Sequence, residues 1–260
     1  MIAALVVLAA TEGAAQSFPE GTVAAFCEAD GRGQRLSRVR SEALDAPLWR
    51  FEPAWDRALL ISGYEVTLAR VISRDEADVV VRYSVIAEVN AEGARSEERE
   101  DTVRFTVLRE GDRWRIAGPP PPPYLFASAF DRETLVGLLS PENPDYLSNS
   151  SFVWHMLRKA GWTAPYRPAS AFLDGSYFRP VAEPRPGDVV AYLRSGVPYH
   201  VGLYEGEDRL ASATPVGVMR TTLNAFPGEI RYLRLTEAAR PAETPALTET
   251  PPPTAGAVAE

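Results

Sequence analysis

From Val79 to Val89 apolar side chains fall on every second position. Val79, Val81, Tyr83, Val85, Ala87 and Val89 share one face, with Arg82, Ser84 and Glu88 among the residues opposite. A period of two belongs to a strand with one face buried and the other in water, and such a strand needs antiparallel neighbours and a covering layer. "TVRFTV" repeats the pattern, with Val103, Phe105 and Val107 inward and Thr102, Arg104 and Thr106 outward. "EGDRWRI" then supplies a tight turn and a short strand carrying Trp114 and Ile116. A helix is expected ahead of this meander, from Phe18 to Ala29. A helix followed by long strands describes an α+β layer fold, one helix packed on one curved sheet.

Composition sets the outer bounds. The chain has 260 residues, 45% of them apolar and 10% aromatic, enough to bury a full core as one large domain or two small ones. With 27 basic against 35 acidic side chains the net charge is −8 and the pI about 5.0, which points away from nucleic acid as a partner.

The first residues, "MIAALVVLAATEGAAQS", form an apolar run from Ile2 to Ala10 followed by small residues, with a cleavage point after Ala15. That is the order of a secretory signal, and the run is too short to span a bilayer. The chain is therefore expected to be secreted or periplasmic and not transmembrane after signal cleavage; a buried N-terminal helix is the competing reading. The lone cysteine, Cys27, rules out an internal disulfide. The bulky Phe26 before it and its distance from the start argue against an acylation site, leaving a small buried hydrophobe on the first helix.

"GPPPPPY", Gly118 to Tyr124, is a stiff polyproline stretch and marks a domain boundary. After it, Asp131 to Ser140 and Ser148 to Lys159 read as helices, the second capped by Ser148 or Asn149. "PRPGDVVAYL" and "PYHVGLYEGEDRLASAT" read as a turn and three strands. From Arg240 the chain is rich in Pro, Thr and Ala with no apolar period, the composition of a disordered tail.

Two resemblances follow. "FCEADGRGQRLS", "LISGYEVTLARVISRDEADVVVRYSVIAEV" and "FTVLREGDRWRIAGPPPPPY" resemble the nuclear transport factor 2-like (SnoaL-like) domains of exported bacterial proteins. The resemblance implies a helix-on-sheet cone that either binds a small ligand or serves as a scaffold. No acid and base pair marks it as an enzyme, since Asp75, Glu76 and Asp78 sit in a hairpin turn. In the second half "SNSSFV", "RPGDVVAY" and "HVGLYEG" resemble, in order, the "DCSGFV", "RPGDLVFF" and "HVGIYLG" motifs of the NlpC family of cell-wall peptidases. That resemblance implies a papain-like α+β domain binding peptidoglycan stem peptides. The implied organisation is a signal (1–16), a cone (17–119), a proline-rich linker (120–130), an NlpC-like domain (131–238) and a tail (239–260).

Carried over residue by residue, the family's cysteine falls on Asn149, its acidic neighbour on Ser148, its histidine on His200 and its third polar residue on Ser212. An amide nitrogen cannot act as a thiolate, so the expectation is a catalytically impaired relative that binds peptidoglycan peptides or an envelope protein. The alternative is an active amidase or endopeptidase using Ser150. One residue along a helix turns the side chain by about 100°, so Ser150 is expected to point away from His200. Delivery of Cys27 from the other half is a more remote route to a thiol. His200 also has an ordinary reading, a core histidine hydrogen-bonded to Asn149 or Ser212. His155, Trp154 and Trp162 read as packing residues, and "PGD" at Pro186 to Asp188 as a structural turn. Two isolated histidines and one cysteine make no metal cluster, and "GRGQR" lacks the spacing of a phosphate loop, so no cofactor is expected.

Overall fold

A computed structural model describes residues 18–36, 47–49 and 52–237. The expected signal and tail lie outside them. No helix among the described residues is long and apolar enough to cross a membrane.

Helix α1 (Pro19–Gly31) starts with proline in its first turn, where the missing N–H had no helical partner to lose. Strands β1 (Arg57–Ser73), β2 (Glu76–Asn90), β3 (Gly93–Glu110), β4 (Arg113–Ile116) and β5 (Tyr124–Phe126) form one sheet in the order β4-β3-β2-β1-β5. Neighbours are antiparallel except β5, which runs parallel to β1. The alternation read from the sequence sets the burial of β2: Val79, Val81, Tyr83, Val85, Ala87 and Val89 are all buried. α1 covers the early part of this face through Val23, Phe26 and Cys27. Helix α2 (Arg132–Leu139), capped by Asp131, covers the end near Ala87 and Val89 through Leu135 and Leu139.

The second sheet contains β6 (Phe178–Val181), β7 (Val189–Arg194), β8 (Val197–Gly206), β9 (Arg209–Thr214), β10 (Gly217–Thr222) and β11 (Glu229–Leu235), ordered β10-β9-β8-β7-β11-β6 and antiparallel. Helix α3 (Asn149–Lys159) lays Phe152, Val153 and Leu157 against Val189, Ala191, Val201 and Ala213. Val190, Tyr192 and Leu210 point to the opposite face, where Tyr199, Phe226 and Trp55 cover them. The turn into β7 is structural: Gly187 has φ +94°, and the buried Asp188 carboxylate takes a bidentate pair of bonds from Arg234 at 2.9 and 2.7 Å.

The expected class, a helix-on-sheet cone followed by a papain-like α+β domain, is corrected by this architecture. Of the described residues 46% lie in strands and 20% in helices, with three α-helices and curled sheets. The physical reason is the reach of the alternating pattern. β1, β2 and β3 run for 17, 15 and 18 residues, and after α3 the described residues form six strands with no further α-helix.

Packing crosses the proline stretch in both directions. Leu135 and Leu139, which follow it, cover the first sheet, while Ala54 and Trp55, which precede it, lie in the cores of the second. The stretch itself is held by a buried ionic cluster. Arg35 donates to both Asp30 carboxylate oxygens (2.8 and 2.7 Å), to Glu52 (3.2 Å) and to the carbonyls of Pro121 (2.7 Å) and Pro122 (3.1 Å). Asp30 also accepts the Tyr124 N–H at 2.9 Å, so the first residue of β5 is set by the same cluster. Prolines leave carbonyls without a ladder, and a buried arginine supplies the donors they lack.

Candidate functional site

Ser148 caps α3 with extended backbone angles, its hydroxyl accepting the Ser151 N–H at 3.2 Å. Asn149 thereby becomes the first helical residue, fully buried, at the helix's positive end. Nearby, β8 and β9 pair from Gly206 with Arg209 as far as Leu203 with Ala211, and the ladder stops there. Continued in the same register it would set Val201 opposite Ala213.

Two other groups fill that place. The Val201 N–H donates to Asn149 Oδ1 at 3.1 Å, Asn149 Nδ2 donates to the Ala54 carbonyl at 2.7 Å, and the Ala54 N–H donates to the Ala213 carbonyl at 3.3 Å. The Asn149 main-chain N–H adds a second bond to the Ala54 carbonyl at 2.8 Å. A carboxamide presents a donor and an acceptor as a peptide group does. Here it replaces the rung that β8 and β9 do not make with each other. Asn149 is therefore a structural residue at the place where the resemblance puts a nucleophile.

His200 looks the other way. Val201 faces α3, so the preceding side chain leaves the opposite face of the sheet. The imidazole lies 3.8 Å, centroid to centroid, from Phe226, 5.7 Å from Tyr192 and 6.3 Å from Tyr199. Its Nε2 is 2.6 Å from Ser212 Oγ, and Ser212 Oγ is 3.4 Å from the Val201 carbonyl. This order assigns the proton to Nε2, with Ser212 accepting it and donating onward to the carbonyl. Nδ1 is left buried with no partner. Burial pushes the imidazole down to about 3. A base that weak, walled in by aromatic rings, takes no proton near neutral pH. Of the two partners expected for a core histidine, Ser212 makes the bond, while the Asn149 amide is spent on main chain.

Ser150 is equally enclosed. Its hydroxyl is 2.9 Å from the Tyr166 hydroxyl and 3.3 Å from Ser148 Oγ, and the buried Asp56 carboxyl lies nearby. Burial raises the Asp56 carboxyl, while the Ala169 N–H at 2.5 Å and Ser150 hold it down. The structure thus brings Ser150 to Asp56 and Tyr166 and directs His200 to Ser212.

Cys27 lies in the other half, its Sγ 3.0 Å from the Tyr83 hydroxyl, and burial pushes the thiol up to about 12. It is an inert core group. His155 Nε2 lies 2.7 Å from the Pro141 carbonyl, tying α3 to the loop after α2. Among the described residues no group of His, Cys, Asp and Glu is placed to hold a metal ion. A groove of about 450 Å³ lies at the far end of α3, lined by Trp154, Arg158, Trp162 and Pro165, with Arg158 stacked 4.7 Å over the Trp154 ring.

Sequence reasoning did not find Ala54, Trp55, Asp56 or Tyr166. Nothing in "EPAWD" carries a period or a spacing, and its partners lie about a hundred residues or more along the chain, so the local sequence holds no signal for it. No family model matches this chain, and no curated protein matches it.

Proposed function

We propose that this chain is an exported cell-envelope protein that acts by binding, a relative of the NlpC-type peptidases in which the nucleophile position has become structural. The observation that carries the reading is the Asn149 carboxamide, whose two polar ends are committed to Val201 and Ala54. A general base depressed to about 3 and a serine closed in by Asp56 and Tyr166 support the same reading from the other candidate groups. The apolar segment from Ile2 to Ala10 supports export, and the ordered motifs support a peptidoglycan stem peptide or an envelope protein as the ligand. The amidase alternative through Ser150 is disfavoured by the geometry, because His200 turns to Ser212 instead and Ser150 is fully buried beside Asp56 and Tyr166.

Purified protein incubated with stem-peptide muropeptides is expected to leave their chromatographic profile unchanged while perturbing the spectrum of the bound ligand or giving a binding heat. Cleavage products that vanish in Ser150→Ala and persist in Asn149→Ala would replace this reading with the serine hydrolase.

A further inference from the structure

The segment 52–56 is held like a bound peptide. Its central residue, Ala54, has both main-chain groups taken, by the Ala213 carbonyl on one side and by the Asn149 main-chain and side-chain N–H groups on the other. The Ala54 methyl is fully buried in the core beneath α3. Trp55 is fully buried on the opposite face, 5.9 Å from Tyr199, and its carbonyl accepts the Tyr146 hydroxyl at 2.7 Å. The Asp56 carboxylate is buried and accepts from the Ala169 N–H. The next residue, Arg57, begins β1 of the other sheet. A short piece from one half thus enters a gap between two strands of the other, with the main chain of Ala54 and Trp55 held by hydrogen bonds and its side chains in three different environments. That is strand addition carried out within one chain.

We propose that the gap between β8 and β9 is a peptide-docking site, occupied in cis by the segment 52–56, whose ligand class is an extended peptide presenting a small residue, an indole and a carboxylate in succession. The inference rests on the non-catalytic role of Asn149 argued above. A ligand tethered to its own site competes at a high effective concentration, so an external peptide of the same pattern enters only when the segment withdraws.

The test uses the full chain and a fluorescein-labelled synthetic peptide of residues 50–58, RFEPAWDRA. In the double variant Trp55→Ala, Asp56→Ala the cis segment keeps its main chain but loses both side-chain anchors. The variant is expected to bind the labelled peptide about tenfold or more tightly than wild type, by fluorescence anisotropy. Adding Asn149→Leu to the variant is expected to abolish that gain, as is replacing the peptide's alanine at position 54 by proline. A folded double variant that binds no better than wild type, or binds the proline peptide equally well, overturns the proposal. Should the double variant not fold, hydrogen exchange on wild type decides. The Ala54 and Val201 amides are expected to exchange together in an opening that leaves Val190 and Tyr192 of β7 protected. Exchange of all four only on global unfolding overturns the proposal. Muropeptides enter neither measurement, so failure of the docking site and failure of the proposed ligand are told apart.

Discussion

Asn149 Oδ1 accepts the Val201 N–H at 3.1 Å, which ties the first residue of α3 to the strand that carries His200 while leaving the imidazole out of the bond. Removing the carboxamide strands a buried N–H on Val201. Asn149→Leu is expected to cost about 1–3 kcal/mol in urea denaturation, the usual penalty for a buried donor without a partner. Asn149→Cys is expected to lose similar stability and to yield a thiol that alkylates slowly in the native state, because position 149 is sealed from solvent. Fast alkylation of that thiol at neutral pH would show an open cleft.

His200 makes stability fall in mild acid. Its folded value is depressed from 6.5 to about 3, so the unfolded chain binds a proton that the native state refuses. The contribution is complete above pH 6.5 and is lost as pH falls from there towards 3, amounting to about 2 kcal/mol by pH 5. Urea melts of wild type and His200→Phe at pH 7.5 and pH 5.0 isolate it. The pH-dependent loss should be smaller in the variant by that amount. Equal slopes would mean that the native imidazole protonates freely.

Gly202 is required by the approach of β9. A Cβ there would sit 2.7 Å from the Ala211 carbonyl oxygen and 2.6 Å from Leu210 Cδ1. The leucine can turn, but the carbonyl belongs to a paired strand and cannot. Gly202→Ala is expected to destabilise the protein by about 1–3 kcal/mol, the range for overpacking a filled core, seen as a lower melting temperature. An unchanged melting temperature would show that the two strands separate at little cost.

Arg35 holds two buried carboxylates and two proline carbonyls. Arg35→Met keeps much of the volume but leaves Asp30 and Glu52 without their cation, and is expected to cost about 3–5 kcal/mol in chemical denaturation. The loss should shrink when Asp30→Asn and Glu52→Gln are added, because the uncompensated charges go with them. No recovery in the triple variant would place the energy in the Pro121 and Pro122 contacts instead.

Local pattern determined much of this protein. The alternation along β2 fixed which side chains are buried, and of the two caps open for α3 in the sequence, Ser148 or Asn149, the structure uses Ser148. Cys27 as a core residue and Asp188 in a structural turn were legible for the same reason: each follows from neighbours a few residues away. A buried His200 bonded to Asn149 or Ser212 was legible as a pair of alternatives, of which the structure makes the bond to Ser212 and commits Asn149 to main chain.

Tertiary structure decided what those residues do. Whether β8 and β9 close on each other or part around Ala54 depends on contacts about 50 to 160 residues apart in sequence, and no periodicity encodes such a contact. The same holds for class. Helix and strand patterns were readable one at a time, but how far each sheet curls and which half supplies its cover depend on the packing of faces that the sequence presents separately. The asparagine could be read as a missing nucleophile. That it is a missing rung of the ladder, supplied by a side chain, became visible only when Val201 and Ala54 were placed on either side of it.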